Sequence, residues 1–440
     1  MLDYNSIKEL AKQIGRSTKD LVALTKQNDP FYVGVPGRQR EAEWFAEIWR
    51  RLGSRTGIHT RRIHYLILTP DGEPFLNLKG EPYENTSNDW ALLNRASLSA
   101  RYLDLIPLDA LVDRRNDEPM IFLEPPMWTD DPGIVVSCGQ PLVSLPDHDQ
   151  DAPPPPFYSV ERFYSEQDYV VEVWIEKSTQ NDWLVPLCKK RKVNLVVGIG
   201  ESSEIQSRHL AERVHETGKP ARIIYMSDFD PAGRSMPVSV ARKLEYYIGK
   251  FDFDVDVTLN PLVLTEEQCQ HYRLPRSPIE EKERRKDTFE EKFGAGATEL
   301  DALEALHPGE MAKLLDQELD RYLDPTLSER VHEVRWKLEH QLDEIEKKVI
   351  ESWQEEIDRL TFEYEAVNDA FSALEENIAI WEESAENVWE KIEEELIEQK
   401  LGLPEKPTAR PANEPDGFVL FDSKRDYLSQ IDAYHQWQRR

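Results

Sequence analysis

Ala221-Arg222-Ile223-Ile224-Tyr225-Met226-Ser227-Asp228-Phe229-Asp230-Pro231-Ala232-Gly233 is the stretch whose reading decides the fold. An apolar run stops abruptly at two carboxylates spaced i, i+2, followed by Pro and Gly. This predicts a buried β-strand that delivers Asp228 and Asp230 to its carboxyl end, where open α/β sheets place their ligands. Two acids at one strand tip repel each other unless a cation sits between them, and hard oxygen ligands suit Mg²⁺.

Upstream, Tyr169-Val170-Val171-Glu172-Val173-Trp174-Ile175-Glu176-Lys177 is a second strand-like run rich in β-branched and aromatic residues, also ending in a carboxylate. Between the two runs the pattern predicts a helix around Trp183 to Lys190, a strand from Asn194 to Val197, a turn at Gly198-Ile199-Gly200 and a helix from Ser203 to Glu216. A β-α-β-α-β order implies a parallel sheet with Glu176 and the Asp pair at the same edge. One Glu from the first strand and an Asp-x-Asp from a later one resemble the acidic constellation of the Toprim domain. The competing reading is a surface loop with incidental acids.

The chain has 440 residues, enough for two or three domains. Its net charge of −30 is unevenly spread. Residues 301–400 carry 10 Lys and Arg against 30 Asp and Glu, whereas residues 11–70 carry 11 against 5. A basic N-terminal region is thus joined to an acidic arm, and the overall sign does not exclude a DNA-binding face. Cys138, Cys188 and Cys269 form no CxxC pair, which argues against zinc and a disulfide scaffold and fits a reducing cytosol. The N-terminus lacks the basic and apolar regions of a secretory signal, and no apolar run reaches about 18 residues. The expectation is a cytoplasmic, nucleoid-associated protein that does not span a membrane.

The predicted fold class is α/β plus α, in six segments. Residues 1–37 are helical, with Gly15 as a turn and Ser17 or Thr18 as a cap; the pair suits a helix-turn-helix or, the favoured reading, a packing unit. Residues 38–124 hold a helix from Glu41 to Arg51, a strand-like Ile63 to Leu68, a turn at Pro70-Asp71-Gly72 and a helix from Asn88 to Leu103, a set that suits a winged-helix module. Residues 125–159 are a Pro-rich linker and 160–325 the sheet domain with its extension. Residues 326–401 are an acidic coiled-coil arm with apolar positions such as Leu338, Leu342, Ile345, Val349, Trp353 and Ile357, spaced by threes and fours. It is either one helix on the order of 100 Å long or a hairpin turning near Asn368-Asp369. Such a seam is not stable alone in water, which predicts self-association or a partner through residues 330–400. Residues 402–440 are expected to be mostly disordered, with an aromatic-containing stretch from Phe418 to Trp437 able to dock.

Taken together, these modules look like the A subunit of type IIB topoisomerases (topoisomerase VI), a superfamily that includes the meiotic double-strand-break protein. The resemblance covers roughly residues 40–320 and is closest to single-chain bacterial Toprim proteins of mobile elements. In that family a winged-helix (CAP-like) domain carries a nucleophilic tyrosine in an Arg-x-x-Tyr-Tyr-like motif, and Thr60-Arg61-Arg62-Ile63-His64-Tyr65 is the similar run here, with His64 in place of the first aromatic. Trp90 through Arg101 resembles the helix that follows the tyrosine, Gly198-Ile199-Gly200-Glu201 through Arg208 its Gly-rich turn and helix, and Asp228-Phe229-Asp230-Pro231-Ala232-Gly233 its Asp-x-Asp-Pro-x-Gly. Leu274-Pro275 and Glu299-Leu300-Asp301-Ala302-Leu303 match a further family pattern. The acidic coiled coil is outside the family core.

The resemblance implies DNA cleavage by Tyr65, assisted by Arg61 and Arg62, with Mg²⁺ held by Glu176, Asp228 and Asp230 and DNA backbone touched by Arg208 and Arg234. A tyrosine with an ordinary pKa near 10 is a weak nucleophile, so nearby cations that favour its anion matter. In the family the two halves of the reaction come from opposite protomers, which implies a homodimer on double-stranded DNA. No GxxxxGK[ST] loop is present, so strand passage would need a separate ATPase subunit. Two alternatives stand beside this reading: a Toprim nuclease that uses metal-activated water, and a non-catalytic DNA-binding scaffold.

Overall fold

In the computed structural model the apolar runs that end in acids are strands of one sheet. The structure describes residues 3–26, 28–53, 56–69, 73–111, 118–123, 132–137, 139, 141–142, 152–198, 204–369, 375–399, 401–414 and 417–439. The first helices are α1 (Tyr4–Ile14), α2 (Pro36–Arg51), α3 (Thr60–Leu68) and α4 (Ser87–Tyr102). Strands β1 (Gly133–Ser137) and β2 (Phe157–Glu161) precede an alternating series: β3 (Val170–Ile175), α5 (Asn181–Arg191), β4 (Asn194–Val197), α6 (Glu204–Thr217), β5 (Ala221–Met226), α7 (Pro231–Phe251) and β6 (Val257–Val263). Helices α8 (Glu266–His271), α9 (Lys286–Phe293), α10 (Leu300–Leu306), α11 (Glu310–Tyr322), α12 (Leu327–Ser352), α13 (Gln354–Asp369) and α14 (Glu375–Glu398) come next, then β7 (Phe421–Asp422) and α15 (Tyr427–Arg439). The turn at Pro70-Asp71-Gly72, Ile199 to Ser203 and Cys138 lie outside the described residues. No described helix is long and apolar enough to cross a membrane.

The sheet order is β4-β3-β5-β6-β7, parallel except for β7. Alternation sorts β3 onto two cores. Val170 and Trp174 join one with α6 and α7, while Val171, Val173 and Ile175 join the other with α5, α10 and α11. Glu172 is the exception within a fully buried strand, and its carboxylate is satisfied by Arg213 Nε and Nη2 at 2.8 and 2.9 Å and by Asn194 Nδ2 at 3.2 Å. The chain runs from β3 to β4 on one side, then crosses to β5 on the other. The crevice beyond the ends of β3 and β5 is therefore the topological switch point.

Two compact units divide the chain. The first comprises residues 1–124, 168–323 and 412–440, the second 125–167 and 324–411. Within the first, α1 ends at Gly15 in a left-handed conformation (φ 68°), and Ile7, Ala11 and Leu21 enter the sheet's core, which supports the packing reading of this helical pair. Helices α2, α3 and α4 share a separate core built on Phe45, Ile63, Ile67 and Leu93.

Three expectations differ from the structure. Ile63 to Leu68 is helical, not strand-like: His59 Nδ1 accepts from the Arg61 N–H at 3.1 Å as a cap, and Ile63 and Ile67 bury one face at i, i+4. Tertiary packing overrides the β preference of this short apolar run. Residues 125–159 are more than a linker, because β1 and β2 pair antiparallel and pack with the arm. Most of the tail from 417 to 439 is folded: β7 adds an antiparallel edge beside β6, and Ile431 and Tyr434 of α15 are wholly buried.

The second unit resolves the arm as a folded-back set of helices. Leu360, Tyr364 and Val367 of α13 share one apolar core with Ile378, Trp381, Trp389 and Ile392 of α14, so the seam is covered within the chain. At its root, the buried Asp324 carboxylate accepts from Thr326 N–H at 2.9 Å, Thr326 Oγ1 at 2.8 Å and Arg410 N–H at 3.2 Å, with Arg330 beside it. Burial opposes its charge, yet these donors pull the carboxyl down to about 2. A depressed carboxyl gives stability that is complete above its unfolded value of 3.8 and is lost as pH falls toward about 2. Asp324→Asn is expected to cost about 2 kcal/mol at pH 7 and far less near pH 2, measured by denaturant unfolding. Equal losses at both pH values would mean that charge is not what holds this root.

Candidate metal centre

The parallel ladder continues past the ends of β3 and β5, with the Glu176 N–H donating to Met226 O at 3.2 Å. Ser227 N–H reaches Val263 O at 2.8 Å, so Asp228 leaves the sheet at a fixed point. Phe229 and Thr298 exchange backbone hydrogen bonds at 2.8 and 3.0 Å, which pins the Asp-Phe-Asp turn from beneath. Asp230 caps α7, its Oδ1 accepting from Gly233 N–H at 2.5 Å, and Pro231 opens the helix where no N–H is needed. A Cβ at Gly233 would stand 2.1 Å from Asp228 O, so only glycine lets the helix start so close to the strand end.

These contacts bring Glu176 and Asp228 to adjacent strand ends. Asp228 is 4% exposed; its Oδ1 accepts from the Leu300 N–H at 2.7 Å and its Oδ2 from Lys177 Nζ at 2.8 Å. Burial raises its pKa against the pull of Lys177. Burial, followed by the charges of Asp228 and Asp230, pushes the Glu176 carboxyl up to about 7. Glu176 Oε2 is buried without a hydrogen-bond partner. An orphaned carboxylate oxygen beside two further acids is a donor set that fits a hard divalent cation. Among the described residues no three His, Cys, Asp or Glu side chains stand close enough to share an ion as arranged. Asp228 is held by Lys177 and Asp230 by its helix cap.

Lys177, Glu299 and Asp301 carry no local signal in the sequence that assigns them to this site. Lys177 Nζ also reaches Glu299 Oε2 at 2.9 Å, and Thr179 Oγ1 donates to Asp301 Oδ1 at 2.9 Å, with Gln180 Nε2 donating to the same atom. The Glu-Leu-Asp run thus clamps the loop after β3. These pairs are 121 to 122 residues apart, so no local spacing announces them.

Tyr65 lies on α3, 62% exposed, with Arg61 and Arg62 also exposed one turn before it. On a helix both arginines, at i−4 and i−3, share the Tyr65 face, whereas a strand would have placed only one there. His64 is buried, its Nδ1 2.7 Å from Tyr83 Oη and its Nε2 3.2 Å from Asn85 Oδ1. Both nitrogens are engaged, so His64 positions the helix and is not free as a base. Ile63 and Ile67, which anchor the helix of Tyr65, pack in one core cluster, whereas Ile175, Met226 and Phe229, which flank the carboxylates, pack in another.

Arg208 pairs with Glu212 at 2.7 Å and lines an open groove of about 500 Å³ with Phe251 and residues 104–109. Arg234 is committed to the fold. Its guanidinium stacks 3.8 Å from the Trp437 ring centroid, Nη2 donates to Trp437 O at 2.8 Å, and burial lowers its pKa to about 10. No protein-family model matches the chain, and no curated protein matches it.

Proposed function

We propose that the protein is a Mg²⁺-dependent DNA-cleaving enzyme of the type IIB topoisomerase A-subunit kind, its sheet a Toprim domain and its α2–α4 region a winged-helix-like DNA-binding module. The observation that carries this reading is the orphaned, near-neutral Glu176 carboxyl beside Asp228 at the switch point of a parallel sheet. Glu176, Asp228 and Asp230 are the residues that would hold Mg²⁺, which when bound stabilises charge developing on phosphoryl and leaving oxygens.

Tyr65 Oη is the proposed nucleophile. It loses its proton to solvent as it bonds to phosphorus, and the cleaved P–O bond leaves a strand hydroxyl and a phosphotyrosyl link. Arg61 and Arg62 favour the phenolate and grip the phosphate. In the family this reading invokes, the tyrosine and the metal come from opposite protomers, so the reading implies a homodimer in which each protomer supplies half of a site. A separate ATPase subunit would be needed for strand passage.

The exposure of Tyr65 suits a second reading as well, a Toprim nuclease in which it is only a surface tyrosine. Incubation with supercoiled plasmid and Mg²⁺, followed by denaturing electrophoresis with and without protease, tests both. Linear or nicked DNA whose migration changes on proteolysis is the expected result; cleavage indifferent to protease selects the nuclease, and intact plasmid removes both in favour of a non-catalytic DNA-binding scaffold.

A further inference from the structure

We infer that Lys177 is a displaceable internal counter-ion: it holds Asp228 in the cation-free protein and must pass that carboxylate to an incoming divalent cation, withdrawing onto Glu299. This rests on reading the carboxylates as a metal centre. One oxygen decides the matter. Asp228 is almost wholly buried; its Oδ1 is tied to a backbone N–H that cannot withdraw, so Oδ2, held by a side chain, is the oxygen that can be released to a cation. Lys177 Nζ already sits 2.8 Å from it. A divalent ion drawn to Oδ2 therefore meets a fixed positive charge in the position it needs, and the two repel each other unless the ammonium moves.

Glu299 supplies the place to move to. Its carboxylate is already 2.9 Å from the same ammonium and its side chain is 57% exposed, so Lys177 can keep one partner while giving up the other. The segment beneath is fixed, since Thr298 is paired with Phe229 and the Leu300 N–H is bonded to Asp228, which keeps Glu299 at constant reach. Lys177 thereby offsets part of the repulsion among Glu176, Asp228 and Asp230. It also sets a threshold: a monovalent ion offers Asp228 no more charge than the lysine does, whereas a divalent ion offers twice as much. The ligand class that this arrangement selects is a hard divalent cation over Na⁺ or K⁺.

Manganese binding to the full chain, followed through the loss of the free Mn²⁺ EPR signal, tests the exchange without reference to cleavage. Lys177→Gln is expected to bind Mn²⁺ about tenfold tighter than the wild type, and Glu299→Gln about threefold weaker, because lysine then has only Asp228 to hold. Glu299→Gln should have no effect once Lys177 is Gln, since Glu299 acts through the lysine. Lys177→Met keeps the aliphatic stem and is expected to tighten binding likewise, so it serves if Lys177→Gln does not fold. Unchanged or weaker binding in both lysine variants overturns the exchange, as does an equal effect of Glu299→Gln in both backgrounds. If neither the wild type nor any lysine variant binds Mn²⁺, the metal centre itself falls; binding that appears only in the lysine variants overturns the exchange, because the lysine would then exclude the cation and not yield to it.

Discussion

Tyr65→Phe and Asp228→Asn are each expected to lower DNA cleavage by at least about 10³-fold, by independent routes. The phenylalanine removes only an exposed hydroxyl, leaving the Ile63 and Ile67 face of α3 in its core, so folding and DNA affinity should stay near wild type. No covalent protein–DNA adduct should form. Asp228→Asn keeps an oxygen for the Leu300 N–H but loses the charge that faces Lys177, so the chain should still fold while its hold on Mg²⁺ weakens. Cleavage assays and adduct trapping on the two variants check this. A Tyr65→Phe protein that cleaves fully while Asp228→Asn is inactive would leave water as the nucleophile and the tyrosine without a role.

Asp29→Ala is expected to destabilise the first unit by about 3 kcal/mol, because it leaves the buried Arg242 with Glu245, 2.9 Å from its Nη1, as its remaining carboxylate partner. Arg242 and Asp29 are both 0% exposed; Arg242 Nε lies 3.1 Å from Asp29 Oδ2, and Nη2 donates to Tyr427 Oη at 2.7 Å. The same aspartate accepts from Ala23 N–H at 3.0 Å and Phe31 N–H at 3.1 Å, so the N-terminal loop also loses its anchor. Unfolding in urea, monitored by circular dichroism, reports the loss; a change below about 1 kcal/mol would mean that water replaces the carboxylate and the pair is not structural. Deleting 412–440 should act on the same knot by removing Tyr427. A chain ending near Asp324 would also lack β7 and α15, which belong to the same compact unit as the carboxylates.

What was legible in the sequence had local periodicity behind it. Strands β3, β4 and β5 show as short apolar runs because both faces of a parallel sheet are covered, and the acids at their ends stand out against that background. The Asp-x-Asp-Pro-x-Gly turn is equally local, with cap, helix start and close approach lying within six residues. Illegible features depend on partners far along the chain. The two residues of β7 are too few to carry a pattern, and α15 buries Ile431, Tyr434 and Trp437 among Gln, Asp and His that mask its apolar face. Helix α3 reads as a strand from sequence because Ile63 and Ile67 satisfy strand propensity and helix spacing alike, and only their buried side settles which applies. Lys177 could be seen but not interpreted, because its two carboxylate partners come from opposite sides of α7, α8 and α9 in sequence.

Arg234 and Trp437 are 203 residues apart, yet they stack at the first turn of α7. On a chain made from its N-terminus onward, the sheet would emerge with its strand tips and acids long before α15 exists to cover the start of α7. The second unit, complete by residue 411, can close on itself during that interval. The first cannot, and its finishing step is a contact of very long range that must wait for translation and then be found by diffusion. A nascent or prematurely stopped chain would therefore carry the acids before α15 covers the start of α7.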